Sequence, residues 1–237
     1  MIERPALPYR LRPDAAIVRS VSQVAALWVA SDAGFYFLLP MLGVQISYNS
    51  GSVAITLYYF FWSGIAVITF WDRYIHWVRF ENRLASYLIW CAVFAGCTLF
   101  AAYVLPQLAP TKWTQPWTPP DVVVATPWYF LPKSVDILFQ QLLIVALVLG
   151  LAEHRFSVRQ ISMTCAVLFG AMHLLLAFGG MPLGYVLRFM VAAAIFGLIF
   201  PSLILNVPNG FAFSYMAHWT YYAITVVMPR IFSAPSP

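Results

Sequence analysis

The sequence predicts an all-α fold, a polytopic transmembrane helical bundle of about seven spans. Of the 237 residues, 62% are hydrophobic and only 9% are charged, whereas a soluble domain carries about 25% charged residues. The apolar segments run for about twenty residues, the length that an α-helix needs to cross the hydrocarbon core. A transmembrane β-barrel would instead alternate polar and apolar residues over about ten positions. Because the apolar segments are evenly distributed, we expect one integral membrane domain.

Turn-forming segments separate the predicted spans, which we expect at residues 21–46, 53–70, 85–105, 134–152, 161–178, 183–205 and 211–228. Residues 1–20 then form a polar N-terminal segment. Residues 21–133 hold three spans and an aromatic-rich outer loop, and residues 134–237 hold a four-helix core. The outer loop, residues 106–133, carries Trp113, Trp117, Trp128 and Tyr129. Such aromatic residues favour the membrane–water interface, so we expect an ordered cap there.

The distribution of basic residues predicts the orientation of the chain. With a cytoplasmic N-terminus, nine of the 13 Lys and Arg residues lie on the inner side, three on the outer side and one within a span. This bias predicts a cytoplasmic N-terminus and an external C-terminus, in the plasma (inner) membrane of a bacterium. The net charge of +5 therefore indicates the lipid bilayer as partner, and no nucleic acid. The inner residues are Arg4, Arg10, Arg12, Arg19, Arg73, Arg79, Arg83, Arg155 and Arg159, and the outer ones are Lys112, Lys133 and Arg230.

Polar side chains within the spans are the candidate site residues, because ionisable groups at membrane depth are costly and are functional candidates by default. Topology predicts that most of them lie in the outer half of the bundle, with His218 nearer the middle. The alternative is a set of hydrogen bonds between helices that only holds the bundle together. Asp32 would pair with Arg188 or lie beside Ser31 facing another helix. The candidates are Asp32, Asp136, Gln140, Gln141, His173, Arg188 and His218.

The last four helices resemble the family of CAAX prenyl-protein and bacteriocin-processing (CPBP) intramembrane proteases. The family motif Phe-x-x-x-His is present as Phe169 to His173. Gln140 and Gln141 stand where the family has paired glutamates, and Ala217 to Tyr222 looks like the final motif. The resemblance covers residues 134–228. It implies that these positions, with His173 and His218, meet at one site that activates water for peptide hydrolysis.

The departures from the family pattern predict a protein that has lost hydrolysis. A general base must accept a proton near neutral pH, and the amides of Gln140 and Gln141 do not. Tyr222 replaces the family's final Asn, and the motif arginine is absent near Val145. Asp136 is one turn from Gln140 and is the only nearby substitute acid.

Three functions therefore stay open. The first is a pseudoenzyme that serves as a binding or scaffold protein, or as an accessory subunit of a larger membrane complex with partner membrane proteins. The second is an active intramembrane endopeptidase that uses His173, His218 and Asp136. The third is a membrane subunit that binds a tetrapyrrole, a pigment or haem, because the neutral imidazole of His173 or His218 is a common metal ligand.

Overall fold

The computed structural model describes residues 13–78, 83–116 and 119–232, and this part of the chain is helical with connecting loops and without strands. Most of the polar N-terminal segment, with Arg4, Arg10 and Arg12, lies outside the described residues, as do Arg79 and Trp117. The helices are α1 (Pro13–Ala33), α2 (Leu39–Met41), α3 (Ser52–Thr69), α4 (Trp71–Val78), α5 (Arg83–Leu99), α6 (Phe130–Glu153), α7 (Val158–Met172), α8 (Leu183–Asn206) and α9 (Gly210–Phe232).

The all-α transmembrane bundle expected from the sequence is confirmed. Within the described ranges, six helical segments are long and apolar enough to cross a membrane: Ile17–Met41, Ser52–Thr69, Arg83–Gln107, Pro127–Glu153, Val158–Ala177 and Leu183–Asn206. The seventh predicted span, α9, has 23 residues, which give about 34 Å at a rise of 1.5 Å per residue. It is not among those six segments, and it carries Ser214, His218 and Thr225 as buried polar residues.

Helix α6 lies at the centre of the bundle. Its apolar window is 78% buried, against 17–33% for the other five candidate spans. It packs against α1, α3, α7, α8 and α9. Because protein surrounds it on all sides, polar side chains on α6 contact other helices and not lipid.

Small residues bring α7 and α8 close together, and this pair makes the most extensive helix contact described. A Cβ atom added at Gly197 would lie 2.5 Å from Cα of Ala166, and one added at Gly170 would lie 3.3 Å from Cβ of Ala194. Small residues at such crossings let helix backbones approach closely in a membrane. This packing fixes the end of α7, which carries His173.

The short helix α4 is a feature that the sequence interpretation missed, since residues 71–84 were treated as an inner loop. Its Arg73 donates from Nη1 to the carbonyl of Ala146 at 3.0 Å and from Nη2 to Oγ of Ser20 at 3.4 Å. Gly150 leaves the room for this guanidinium, because a Cβ there would lie 2.8 Å from Arg73 Cζ. Helix α4 is thus attached to the C-terminal half of α6.

The loop before α6 forms a hydrogen-bonded cap at residues 119–129, and its position on the outer side stays a prediction. Asn49, in the loop between α2 and α3, accepts a hydrogen bond from the backbone of Thr126 at 2.8 Å and donates to the carbonyl of Asp121 at 3.2 Å. Asp121 in turn accepts from the backbone N–H of Tyr48 at 2.8 Å.

The predicted start of the fourth span was too late. Helix α6 begins at Phe130, so Lys133 belongs to the helix and is buried.

Candidate functional site

A cavity of about 350 Å³ opens at one end of the bundle. Its walls come from α1, α3, α6, α8 and α9, and from the 3₁₀ turn that ends α7. Its rim comes from three loops at the same end: residues 42–51, the cap at 119–122 and residues 179–182. In the predicted orientation this is the outer end. The cavity combines aromatic walls with buried charges, which is an unusual composition for the interior of a membrane bundle.

The centre of the polar wall is the carboxylate of Asp136, which accepts three hydrogen bonds. Lys133 Nζ lies 2.7 Å from Oδ2 and forms a buried ion pair. The hydroxyl of Tyr48 donates to the same oxygen at 3.0 Å. Gln140 Nε2 donates to Oδ1 at 2.8 Å. The expected shared face of Asp136 and Gln140 is therefore present, and both carboxylate oxygens are engaged.

Aromatic rings enclose the ammonium of Lys133. Nζ lies 3.9 Å from the ring centroid of Tyr222 and 5.3 Å from that of Tyr48. Cations are attracted to ring faces at these distances, most strongly where water is excluded. The only cation of the cavity wall among the described residues is thus neutralised by Asp136 and covered by two rings.

Tyr48 comes from the loop that precedes α3 and connects the rim to this network. Its hydroxyl also lies 3.1 Å from the hydroxyl of Tyr59. Burial raises the pKa of the Tyr48 phenol well above its usual value, and the carboxylate of Asp136 raises the pKa further. The phenol therefore stays protonated and serves as a hydrogen-bond donor.

Asp32 lines the cavity from α1. Its Oδ2 accepts a hydrogen bond from Trp28 Nε1 at 3.1 Å, whereas Oδ1 has no hydrogen-bond partner among the described residues. The pairing with Arg188 that the sequence left open does not occur. Arg188 is exposed on α8 and donates to Oγ1 of Thr225 at 3.2 Å, away from the cavity.

His173 lines the cavity at the end of α7. Its Nδ1 lies 2.7 Å from the carbonyl oxygen of Phe169, one turn earlier. A carbonyl only accepts, so Nδ1 carries the proton and Nε2 is the acceptor in the neutral ring. The indole of Trp28 packs against both His173 and Phe169, with centroids 5.9 Å and 5.2 Å away. Phe169 itself is buried behind the wall and serves as packing.

The two glutamines have different environments. Gln140 lines the cavity, is 8% exposed, and its Oε1 has no hydrogen-bond partner among the described residues. Gln141 faces α9 instead. Its Oε1 accepts from Ser214 Oγ at 3.0 Å, and its Nε2 lies 3.3 Å from Nδ1 of His218. Gln141 therefore connects α6 to α9, as the helix-locking alternative expected.

His218 lies beside the cavity and not in its wall. Gln141 donates to its Nδ1, which leaves the proton on Nε2. Its ring stacks on Tyr222 with centroids 5.6 Å apart and also packs against Phe196 at 5.4 Å. Tyr222, which does line the cavity, separates His218 from it. The structure thus brings Asp32, Asp136, Gln140, His173 and Tyr222 to one cavity, and leaves Gln141, His218 and Arg188 outside it.

Sequence reasoning missed Lys133, Tyr48 and Trp28. Lys133 stands three residues before Asp136, a spacing that places two side chains on one helix face. The predicted fourth span begins at residue 134 and excludes Lys133, so this spacing was not recognised. Trp28 likewise stands four residues before Asp32. Tyr48 gave no local signal, because Asp136 is 88 residues away in sequence.

Within the described ranges, no group of three or more His, Cys, Asp and Glu side chains is arranged to hold a metal ion. Comparisons with protein-family models, with curated proteins and with solved structures find no match for this chain. The resemblance to CPBP proteases therefore stays a prediction. The apolar spans indicate an integral membrane helical protein. A more specific function has to be argued from the residues that line the cavity.

Proposed function

We propose that this membrane protein binds a small ligand in its cavity without hydrolysing it, as a non-catalytic relative of the CPBP-type bundle. The observation that carries the proposal is the hydrogen bonding of the Asp136 carboxylate. Both of its oxygens already accept hydrogen bonds, from Lys133, Tyr48 and Gln140. These donors use three of the about four lone-pair sites of a carboxylate, which leaves little of it to accept a proton from water. Amides occupy the two positions where the family has glutamates.

The wall chemistry supports binding as the remaining use of the site. Aromatic side chains with a few polar groups are typical of small-molecule pockets, whose volumes begin at about 300 Å³. The cavity of about 350 Å³ falls at the small end of that range. Its buried Lys133–Asp136 pair holds the wall in one arrangement and leaves other acceptors for a ligand.

A peptidase assay tests the proposal. Wild type and the Gln140→Glu variant, each in nanodiscs, are incubated with a library of prenylated and unmodified peptides. Cleavage is followed by mass spectrometry. We expect no cleavage by either protein, because the glutamate side chain would meet the carboxylate of Asp136 at the position of the present 2.8 Å hydrogen bond. Turnover by wild type that is lost in His173→Gln would refute the proposal.

Hydrolysis is the second candidate, and the pair of Asp32 and His173 is the observation in its favour. Both line one cavity, Asp32 has a free Oδ1, and Nε2 of His173 is an acceptor. The acid would then come from α1 and not from the paired-glutamate helix that the family resemblance implies. Cleavage that disappears in Asp32→Asn as well as in His173→Gln would favour this function.

The proposed binding protein acts alone or as an accessory subunit of a membrane complex, and gentle native purification separates these forms. Mass spectrometry of the purified sample detects stoichiometric partner chains, and its absorbance spectrum tests the proposed tetrapyrrole ligand of His173 or His218. Partner chains support the accessory-subunit form. A visible absorbance band that His173→Gln or His218→Gln removes supports the pigment-binding form.

A further inference from the structure

The charges of the cavity wall are unbalanced. Its charged residues among those described are Asp32, Asp121, Lys133 and Asp136, so three carboxylates face one ammonium. Lys133 pairs with Asp136 at 2.7 Å, and Asp121 is held in the rim by the backbone of Tyr48. Asp32 has only the indole N–H of Trp28. The cavity therefore has an uncompensated carboxylate and has no free cation for an anionic ligand.

Three acceptor atoms of the wall, on Asp32, Gln140 and His173, have no hydrogen-bond donor among the described residues. Oδ1 of Asp32 and Nε2 of His173 make no hydrogen bond with the described residues, since only Oδ2 and Nδ1 are engaged. Oε1 of Gln140 is buried and has no partner. Because a buried acceptor without a donor is costly, Oε1 of Gln140 indicates that a donor from outside the described residues completes the site.

Aromatic rings form much of the remaining wall, and those of Trp28, Phe35, Tyr59, Tyr129 and Tyr222 all line the cavity. Ring faces attract cations. An ammonium –NH₃⁺ supplies three N–H donors and one positive charge. An ammonium can therefore donate to Asp32, Gln140 and His173 and also balance the charge of the Asp32 carboxylate.

We infer that the cavity binds the primary ammonium group of a small organic amine, with Asp32, Gln140 and His173 as acceptors. This inference rests on the ligand-binding function proposed above and names its ligand class. The same group occurs in free amines and in ethanolamine lipid headgroups. The rim formed by residues 42–51, 119–122 and 179–182 lies at the end of the bundle, where either source has access.

The test is calorimetric titration of the protein in phosphatidylcholine nanodiscs with 2-phenylethylamine, and separately with choline, which lacks N–H donors. We expect binding of 2-phenylethylamine and at least about tenfold weaker binding of choline, as loss of charged hydrogen bonds predicts. Nanodiscs that contain phosphatidylethanolamine distinguish the sources. A weaker apparent affinity for 2-phenylethylamine there identifies the lipid headgroup as a competitor, and an unchanged affinity identifies the free amine.

Two variants locate the site. Asp32→Asn keeps an oxygen to accept from Trp28 and removes the charge, so we expect at least about tenfold weaker binding of 2-phenylethylamine. Gln140→Leu should weaken binding as well. The matched control is Asp72→Asn, because Asp72 is exposed on α4 at the other end of the bundle, and its binding should equal wild type.

The inference is overturned if choline binds as tightly as 2-phenylethylamine, if Asp32→Asn binds like wild type, or if neither amine binds. Each of these results leaves the proposed binding function standing for another ligand class, because that function is tested separately by peptide cleavage.

Discussion

The ammonium of Lys133 lies 2.7 Å from Oδ2 of Asp136, three residues further along α6, and both side chains are more than nine-tenths buried. Such pairs contribute little net stability compared with apolar residues of similar volume, yet removal of one partner leaves an uncompensated buried charge. The effect of each residue on stability therefore depends on the presence of the other. A comparison of single and double variants measures this dependence.

Lys133→Met should lower the free energy of unfolding by about 3–5 kcal/mol, because Asp136 then loses its counter-ion in a low-dielectric site. The double variant Lys133→Met/Asp136→Leu should lose less than Lys133→Met alone. Equilibrium unfolding in mixed micelles measures both. The exposed Lys112→Met is the control and should match wild type. Equal stability of Lys133→Met and this control would contradict the buried pair.

Gly197→Ala should destabilise the contact between α7 and α8. The added Cβ would lie 2.5 Å from backbone atoms of Ala166, and overpacking of this kind costs about 1–3 kcal/mol. Gly96→Ala is the matched control, since no atom lies within 4 Å of its Cβ and alanine favours a helix over glycine. Thermal denaturation in detergent should show a lower melting temperature for Gly197→Ala only. A lower melting temperature for both would argue against close packing at Gly197.

Asn49→Ala should loosen the cap without unfolding the bundle. The side chain of Asn49 contributes hydrogen bonds to Thr126 and Asp121, and the amide of Thr126 would lose its partner. Hydrogen–deuterium exchange should become faster in residues 119–129 and stay unchanged in α6. Asn206→Ala serves as control, because Asn206 is exposed and bonds within its own helix to Ser202. Unchanged exchange in the cap would show that other contacts hold it.

The orientation predicted from the basic residues is tested by cysteine labelling of intact cells. Cys91, Cys97 and Cys165 are replaced first, and a single cysteine is introduced at Lys112 or at Arg159, both exposed. A membrane-impermeant maleimide should label Lys112→Cys directly and Arg159→Cys only after permeabilisation, because basic residues concentrate on the cytoplasmic side. The reverse labelling would invert the orientation, and labelling of both from one side would contradict the span formed by α6.

The fold could be predicted well because membrane spans are recognised by their length and apolar composition, which are local properties of the sequence. Depth could be predicted too, and Asp136, Gln140 and His173 do lie at the same end of the bundle. Rotation of a helix about its axis could not be predicted. Arg188 has a suitable depth but lies on the exposed side of α8. The neighbouring Gln140 and Gln141 face different surroundings, since the first lines the cavity and the second contacts Ser214 and His218 of α9.

The network around Asp136 shows a second limit. Its partners Lys133 and Gln140 lie within one turn of α6, so helical spacing alone identifies them once the helix start is known. Tyr48 reaches Asp136 from a loop 88 residues earlier, and no pattern in a single sequence encodes that contact. The amphipathic helix α4 was missed for another reason. Its eight residues are too few to cross a membrane, and the sequence predicted helices only where they would be membrane spans.

Because Lys133 and Asp136 belong to the same turn of α6, their pairing needs no other part of the protein. Charged side chains oppose entry of a helix into the bilayer, at a cost of about 2.5–3.5 kcal/mol each near its centre. A helix in which these two charges are already paired presents a less charged surface to the lipid while it is being inserted. The pairing thus allows α6 to enter the membrane before the Tyr48 loop and the cap pack against it.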